Sequence, residues 1–145
     1  MRIALAADHA GFDLKQQLAR HLRDGGHEVD DLGTHDREST DYPDFAARVA
    51  RAVAAGEAER GVLVCGTGAG MAMAANRHRG VRAVATGELA VARLARRHND
   101  ANVLALGARL IAAPLAEEVL DTFLSTPFDG GRHARRVAKM DGAGE

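Results

Sequence analysis

Gly61-Val62-Leu63-Val64-Cys65-Gly66-Thr67-Gly68-Ala69-Gly70 is the stretch whose reading decides the fold. A short apolar run stops at a cysteine, three glycines follow within five residues, and helix-forming residues resume at Met71-Ala72-Met73. That order is strand, tight loop, helix. Working outward, four more short apolar runs match it: Ile3–Ala7, Glu28–Leu32, Val81–Ala85 and Val103–Gly107. Longer amphipathic segments lie between them, the pattern of repeated βα units and a parallel sheet covered on both faces. The expectation is an α/β fold, a three-layer α/β/α sandwich around a five-stranded parallel sheet with a C-terminal helical tail, forming one domain over 1–145.

The helices are bounded by ordinary signals. Phe12, Leu14, Leu18 and Leu22 recur at helical spacing until Gly25-Gly26, a C-terminal stop. Pro43 opens a second helix that buries Phe45, Val49, Ala52 and Val53 and ends by Gly56, the proline sitting where its missing N–H costs nothing. A third helix begins within Gly66–Gly70, a fourth runs from Glu88 to Arg97, and a fifth starts at Pro114 and carries Leu115, Val119, Leu120 and Phe123 inward. The tail is helix-forming as far as Met140, and Gly142-Ala143-Gly144-Glu145 is expected to fray.

Composition excludes several classes of function. Nineteen Lys and Arg against twenty Asp and Glu give a net charge of −1, so no global field draws in nucleic acid or an anionic membrane. Aromatic residues make up 3%, too few for a base-stacking platform. The single cysteine cannot form an internal disulfide, Met1-Arg2-Ile3 opens no signal-peptide apolar region, and no stretch approaches the about 18 apolar residues that span a bilayer. A cytoplasmic location is the expectation.

Ligands of open α/β sheets bind at the carboxyl ends of the strands. Polar residues concentrate after the first, third and fifth strands, at Asp8-His9, at Cys65–Gly70 and at Arg109. Cys65 stands where glycines admit a ligand to the backbone and a following helix presents free N–H groups, a setting that favours an anion or a thiolate. The dinucleotide fingerprint fails because Met71 stands where its third glycine is required, and a P-loop fails because no lysine lies between Lys15 and Lys139. A cysteine phosphatase would need an arginine at the position of Met71.

Other candidates carry two readings each. Asp8 either caps the first helix or faces a ligand; His9 lies where an imidazole can donate to a phosphate. His98-Asn99-Asp100-Ala101-Asn102 is either a turn or a setting that orients a general acid. Arg132 and Arg136, with His133 and Arg135 beside them, are either a solvated basic tail or a phosphate grip. His35 and His78 are too scattered to argue a metal site, and none is expected.

Together these residues resemble the ribose-5-phosphate isomerase B family, which includes galactose- and allose-phosphate isomerases. The resemblance rests on Ala7-Asp8-His9-Ala10-Gly11-Phe12 with Leu14-Lys15, on Asp41-Tyr42-Pro43-Asp44, and on Cys65–Met71 with Ala74-Ala75-Asn76. Arg97–Asn102 and Gly130-Gly131-Arg132-His133 complete it, in family order along nearly the whole chain. It implies a Rossmann-like fold and a cofactor-free aldose-ketose isomerase passing through a cis-enediolate, with Cys65 as the base. It further implies that the N–H groups of Gly66, Gly68, Ala69 and Gly70, with the Thr67 hydroxyl, hold the developing charge, and that His98 opens the sugar ring. Asp8, Asn99 and Tyr42 would meet the sugar; His9, Arg109, Arg132 and Arg136 would bind its phosphate. The resemblance implies a homodimer, or a dimer of dimers, in which His98, Asn99 and the C-terminal arginines serve the neighbouring subunit's Cys65. Another aldose phosphate as substrate, and a non-catalytic phosphosugar-binding subunit, are the alternatives.

Overall fold

The computed structural model describes residues 1–142, so the expected fraying of Ala143-Gly144-Glu145 lies outside the described residues. Five strands, β1 (Arg2–Ala7), β2 (Glu28–Asp31), β3 (Arg60–Cys65), β4 (Ala83–Ala85) and β5 (Val103–Gly107), form one parallel sheet in the order β2-β1-β3-β5-β4. Six helices alternate with and follow them: α1 (Phe12–Asp24), α2 (Tyr42–Ala54), α3 (Ala69–Ala75), α4 (Leu89–Asn99), α5 (Ala113–Ser125) and α6 (Arg132–Met140). Among the described residues no helix is long and apolar enough to cross a membrane.

The strands alternate between two cores with the two-residue period of a pleated sheet. Ile3, Leu5, Val62, Val64, Leu104 and Leu106 pack with Leu18 of α1, Ala92 of α4 and Phe123 of α5 on one face. Ala4, Ala6, Leu63, Cys65 and Ala105 face α2 and α3 on the other. With so few aromatic side chains, small alanines let helices α2 and α3 sit close to the sheet, and Cys65 belongs to that tighter side.

Two expectations are corrected. Leu115 does not point inward but is 41% exposed, and Ala116 is buried in its place; the buried stripe of α5 is Ala116, Val119, Leu120, Phe123 and Leu124, from which Leu115 is one residue out of phase. The fourth strand is Ala83–Ala85 rather than Val81–Ala85. Side chains take over its ladder there: Asn102 Oδ1 accepts the Arg82 N–H at 2.8 Å, and the Asn76 amide both donates to Ala83 O at 2.9 Å and accepts from Ala83 N at 2.7 Å.

Lys15 is fully buried, and its ammonium donates to both oxygens of Asp31 at 2.7 Å. Asp31 Oδ1 also accepts the Gly33 N–H at 3.0 Å. A buried charge is tolerated only when paired in this way, and the pair ties α1 to the segment leaving β2. That segment returns to β1, where Ala7 N donates to Gly33 O at 2.7 Å and Thr34 N to Ala7 O at 2.8 Å.

The β1–α1 turn lies directly on β3: a Cβ at Gly11 would overlap the carbonyl oxygen of Val64. Gly11→Ala is therefore expected to lower stability by about 1–3 kcal/mol, as overpacking against immovable backbone does. Gly25→Ala, where φ is −79° and the nearest atom would lie at an ordinary 3.4 Å, is expected to change stability by less than about 0.5 kcal/mol. Urea denaturation of the two variants checks the contrast.

Candidate active site

The strand order reverses between β1 and β3, and the crevice that opens at such a switch point is where open α/β sheets take their ligands. In register, Ala7 sits beside Val64 and Cys65 beside Gly107. The backbone stitching continues past the strands: Asp8 N donates to Val64 O at 3.2 Å, Ala108 N to Cys65 O at 2.8 Å and Arg109 N to Gly66 O at 3.0 Å. Asp8 and Arg109 are thereby held on either side of Cys65.

Cys65 is 6% exposed, and its Sγ accepts the Gly68 N–H at 3.1 Å. Gly68 makes this bond from a left-handed conformation, φ 84°, as the N-cap of α3, a geometry glycine adopts without strain. The exposed Thr67 hydroxyl accepts the Ala69 N–H at 3.3 Å, which leaves its own proton to donate. The whole loop rests on β5, since a Cβ at Gly107 would lie 2.6 Å from Thr67 O. Its other glycines leave room for side chains. A Cβ at Gly70 would overlap the Tyr42 ring, and one at Gly66 would lie 2.9 Å from Arg109 Nη1. Tyr42 and Arg109 are thus packed directly against the Cys65 loop.

Asp8 is buried, and its Oδ1 accepts the Gly11 N–H at 3.0 Å. The cap reading is half right: the carboxylate closes the turn just before α1, whose N-cap is Gly11, and one oxygen is left for a ligand. His9 is clasped at two points by Thr40, its N–H donating to Thr40 Oγ1 at 3.2 Å and its Nδ1 accepting the Thr40 N–H at 3.1 Å.

The remaining candidates lie elsewhere. His98 and Asn99 end α4, just ahead of β5, at the amino edge of the sheet. Four residue steps of β5 separate that edge from the position beside Cys65, a span of about 13 Å at the rise of a parallel strand. One chain therefore does not bring His98 or Asn99 to its own Cys65. Arg132 and Arg136 are exposed on α6, which packs on α4. The tail is anchored by Arg97, whose carbonyl accepts the Asp129 N–H at 3.0 Å and whose Nη2 lies 3.1 Å from Asp129 Oδ2.

The segment after α4 is a turn held by side chains. Asp100 sits at φ 47°, uncommon for any residue but glycine, and is held there by two arginines. Arg96, 2% exposed, donates to Asp100 Oδ1 at 2.8 Å and to Ala101 O at 2.6 Å, while Arg82 Nε donates to Asp100 O at 2.9 Å. Asp100 and Asn102 are structural, and they fix the helix end on which His98 and Asn99 stand. A cavity of about 600 Å³ opens at this edge beside β4, lined by Arg77, Arg79, Arg82 and Met140; of the site candidates only Asn99 reaches it.

Sequence reasoning missed the partner of His98. Its ring stacks on that of His133, centroids 4.4 Å apart and planes 13° from parallel. Desolvation, then His98, Arg132 and Arg136, hold His133 below the ordinary histidine pKa, with Asp129 opposing. His98, Asp129 and His133 bring donor atoms within 4.8 Å of one another. An ion bound by two imidazoles must lie close to both ring planes. Parallel stacked rings do not allow that, and Asp129 is already taken by Arg97, so the cluster as built is an imidazole stack.

Comparison with known proteins agrees along the chain. The sequence model described as Ribose/Galactose Isomerase matches residues 3–140. Ribose-5-phosphate isomerase B of Escherichia coli is 48% identical over 136 residues, covering 94% of this chain and 91% of the relative. The crystal structure of a ribose 5-phosphate isomerase from Thermotoga maritima superposes with a TM-score of 0.95 at 54% identity, covering 97% of each chain. Ribose-5-phosphate isomerase B from Mycoplasma genitalium, solved with bound ribulose-5-phosphate, gives 0.94 at 40% identity, covering 99% of this chain and 95% of that one.

Tyr42 is the only tyrosine of a chain without tryptophan, so its emission reports its own surroundings. Gly70→Ala is expected to push the ring off the loop and increase quenching by acrylamide. Gly66→Ala, which meets only the flexible end of Arg109, is expected to leave that quenching unchanged.

Proposed function

The chain belongs to the ribose/galactose isomerase family, and from that premise we propose that it interconverts ribose 5-phosphate and ribulose 5-phosphate by proton transfer. The observation that carries the proposal is the placement of Cys65 at the switch point, its sulfur fixed by the Gly68 N–H and flanked by Asp8, Tyr42 and Arg109. As a thiolate, Cys65 takes the proton from C2 of the open-chain aldose and returns it at C1, the two oxygens exchanging their proton through the cis-enediolate between. C2 is oxidised as C1 is reduced within one molecule, so the balance closes without an external oxidant, reductant or cofactor. The N–H groups of Gly66 and Gly70 and the Thr67 hydroxyl, fixed before the reaction begins, stabilise the enediolate oxygen, whereas those of Gly68 and Ala69 are already given to Cys65 Sγ and Thr67 Oγ1. Asp8 and Tyr42 hold the sugar, and His9 and Arg109 bind the phosphate.

The other half of the site comes from a second copy. His98 donates a proton to the ring oxygen to open the sugar, Asn99 meets its hydroxyls, and Arg132 and Arg136 complete the phosphate grip. The separation of His98 from Cys65 along β5 supports this: both can serve one substrate only across a subunit interface. A homodimer is the smallest active unit, with one domain per chain, working in the cytoplasm on a soluble phosphosugar and on neither nucleic acid nor membrane. The family's description also includes galactose, which keeps a six-carbon aldose phosphate as the second reading; kinetics across a panel of aldose phosphates separates the two.

Cys65→Ala is expected to abolish exchange of the substrate's C2 proton with solvent, followed by NMR, while phosphate binding persists. Binding without exchange in the unaltered protein would favour a non-catalytic subunit. A mixing experiment tests the shared site. Cys65→Ala and His98→Asn chains, each inactive alone, form heterodimers with one intact site in two, so an equal mixture that re-equilibrates is expected to regain about a quarter of full activity. No regain would place both groups in one chain's site and defeat the dimer reading.

A further inference from the structure

Thr40 belongs to no motif used above, yet it makes the closest polar contacts to His9. The contact is reciprocal across 31 residues: His9 N–H to Thr40 Oγ1 at 3.2 Å, and Thr40 N–H to His9 Nδ1 at 3.1 Å. A backbone N–H can only donate, so Nδ1 must offer its lone pair, and the proton of the neutral ring must sit on Nε2. Among the described residues Nε2 has no hydrogen-bond partner, so the N–H that Thr40 creates there is available to a ligand. Two residues further on, Tyr42 packs on Gly70 of the Cys65 loop. The segment carrying Thr40 therefore joins a residue proposed for the phosphate to one proposed for the sugar.

We propose that Thr40 is a positioning residue for phosphate recognition: its clasp fixes the tautomer and aim of His9, so that Nε2–H donates to the substrate's phosphate. This rests on the reading of His9 as a phosphate ligand. An unclasped imidazole would rotate and divide its proton between two nitrogens, and only part of the population would present a donor in the right place. The effect belongs to binding rather than to the proton transfer at C2, because His9 does not act on the reacting carbons.

The test is steady-state kinetics with ribose 5-phosphate. Thr40→Val keeps the shape and the backbone N–H that holds Nδ1, so the tautomer stays, but it removes the oxygen that anchors the His9 backbone and with it the aim of the ring. KM is expected to rise about three- to tenfold, the range of one hydrogen bond's net worth, with kcat within about twofold of the unaltered protein. Thr40→Ser is expected to restore KM. In a His9→Ala background, Thr40→Val is expected to add nothing. An unchanged KM in Thr40→Val, a loss confined to kcat, or a full additional effect without His9 would each overturn the proposal. Nitrogen-15 NMR of the His9 ring is the second measurement: a protonated Nε2 is expected, and a protonated Nδ1 in the neutral ring overturns it. Failure of the unaltered protein to turn over ribose 5-phosphate would overturn the functional reading alone, and the ring spectrum would then decide the Thr40 assignment.

Discussion

The carboxyl edge of the sheet is built on backbone contacts too close to admit a side chain. Gly11 lies on the Val64 carbonyl, Gly107 on the Thr67 backbone, and Gly70 under the Tyr42 ring. These approaches draw the ends of β1, β3 and β5 together until Asp8, Cys65 and Arg109 lie along one line of hydrogen bonds. A methyl group at Gly11 or Gly107 would part the strands' exits and separate the residues the proposed chemistry needs together. The glycines act through the side chain they omit.

Most of this architecture was legible because it follows from short-range rules. The five apolar runs, the helix stops at Gly25-Gly26 and Gly56, and the strand-loop-helix around Cys65 depend on neighbours within a few residues. The errors arose where distant groups decide. Leu115 looks as apolar as Leu120, and only the direction of the sheet tells which of them is covered. Val81 and Arg82 read as strand, but Asn102 takes the bond a strand would have made. The link between His9 and Thr40, and the stack of His98 on His133, join segments whose spacing carries no periodic signal.

The two edges of the sheet are secured differently. The carboxyl edge relies on glycine and backbone bonds. The amino edge relies on charge: Arg96 and Arg82 converge on Asp100, and Arg97 holds Asp129. Arg96 is nearly fully buried, and such a group is stable only with its donors filled, so it fixes both the Asp100 carboxylate and the Ala101 carbonyl. The helix end carrying His98 is consequently held by ion pairs, where the loop carrying Cys65 is held by backbone contacts.

Asn76 gives the sheet its boundary. β4 is an edge strand of three residues, and the N–H and C=O of Ala83 that face away from β5 are both occupied by the one Asn76 amide. A primary amide carries the same donor and acceptor pair as a peptide group, so Asn76 stands in for a sixth strand one residue long. An open edge is a template on which another chain can extend the sheet; here its first available rung is filled from within. At this edge a second copy cannot pair with Ala83 by continuing the strands, because a single side chain already holds that rung.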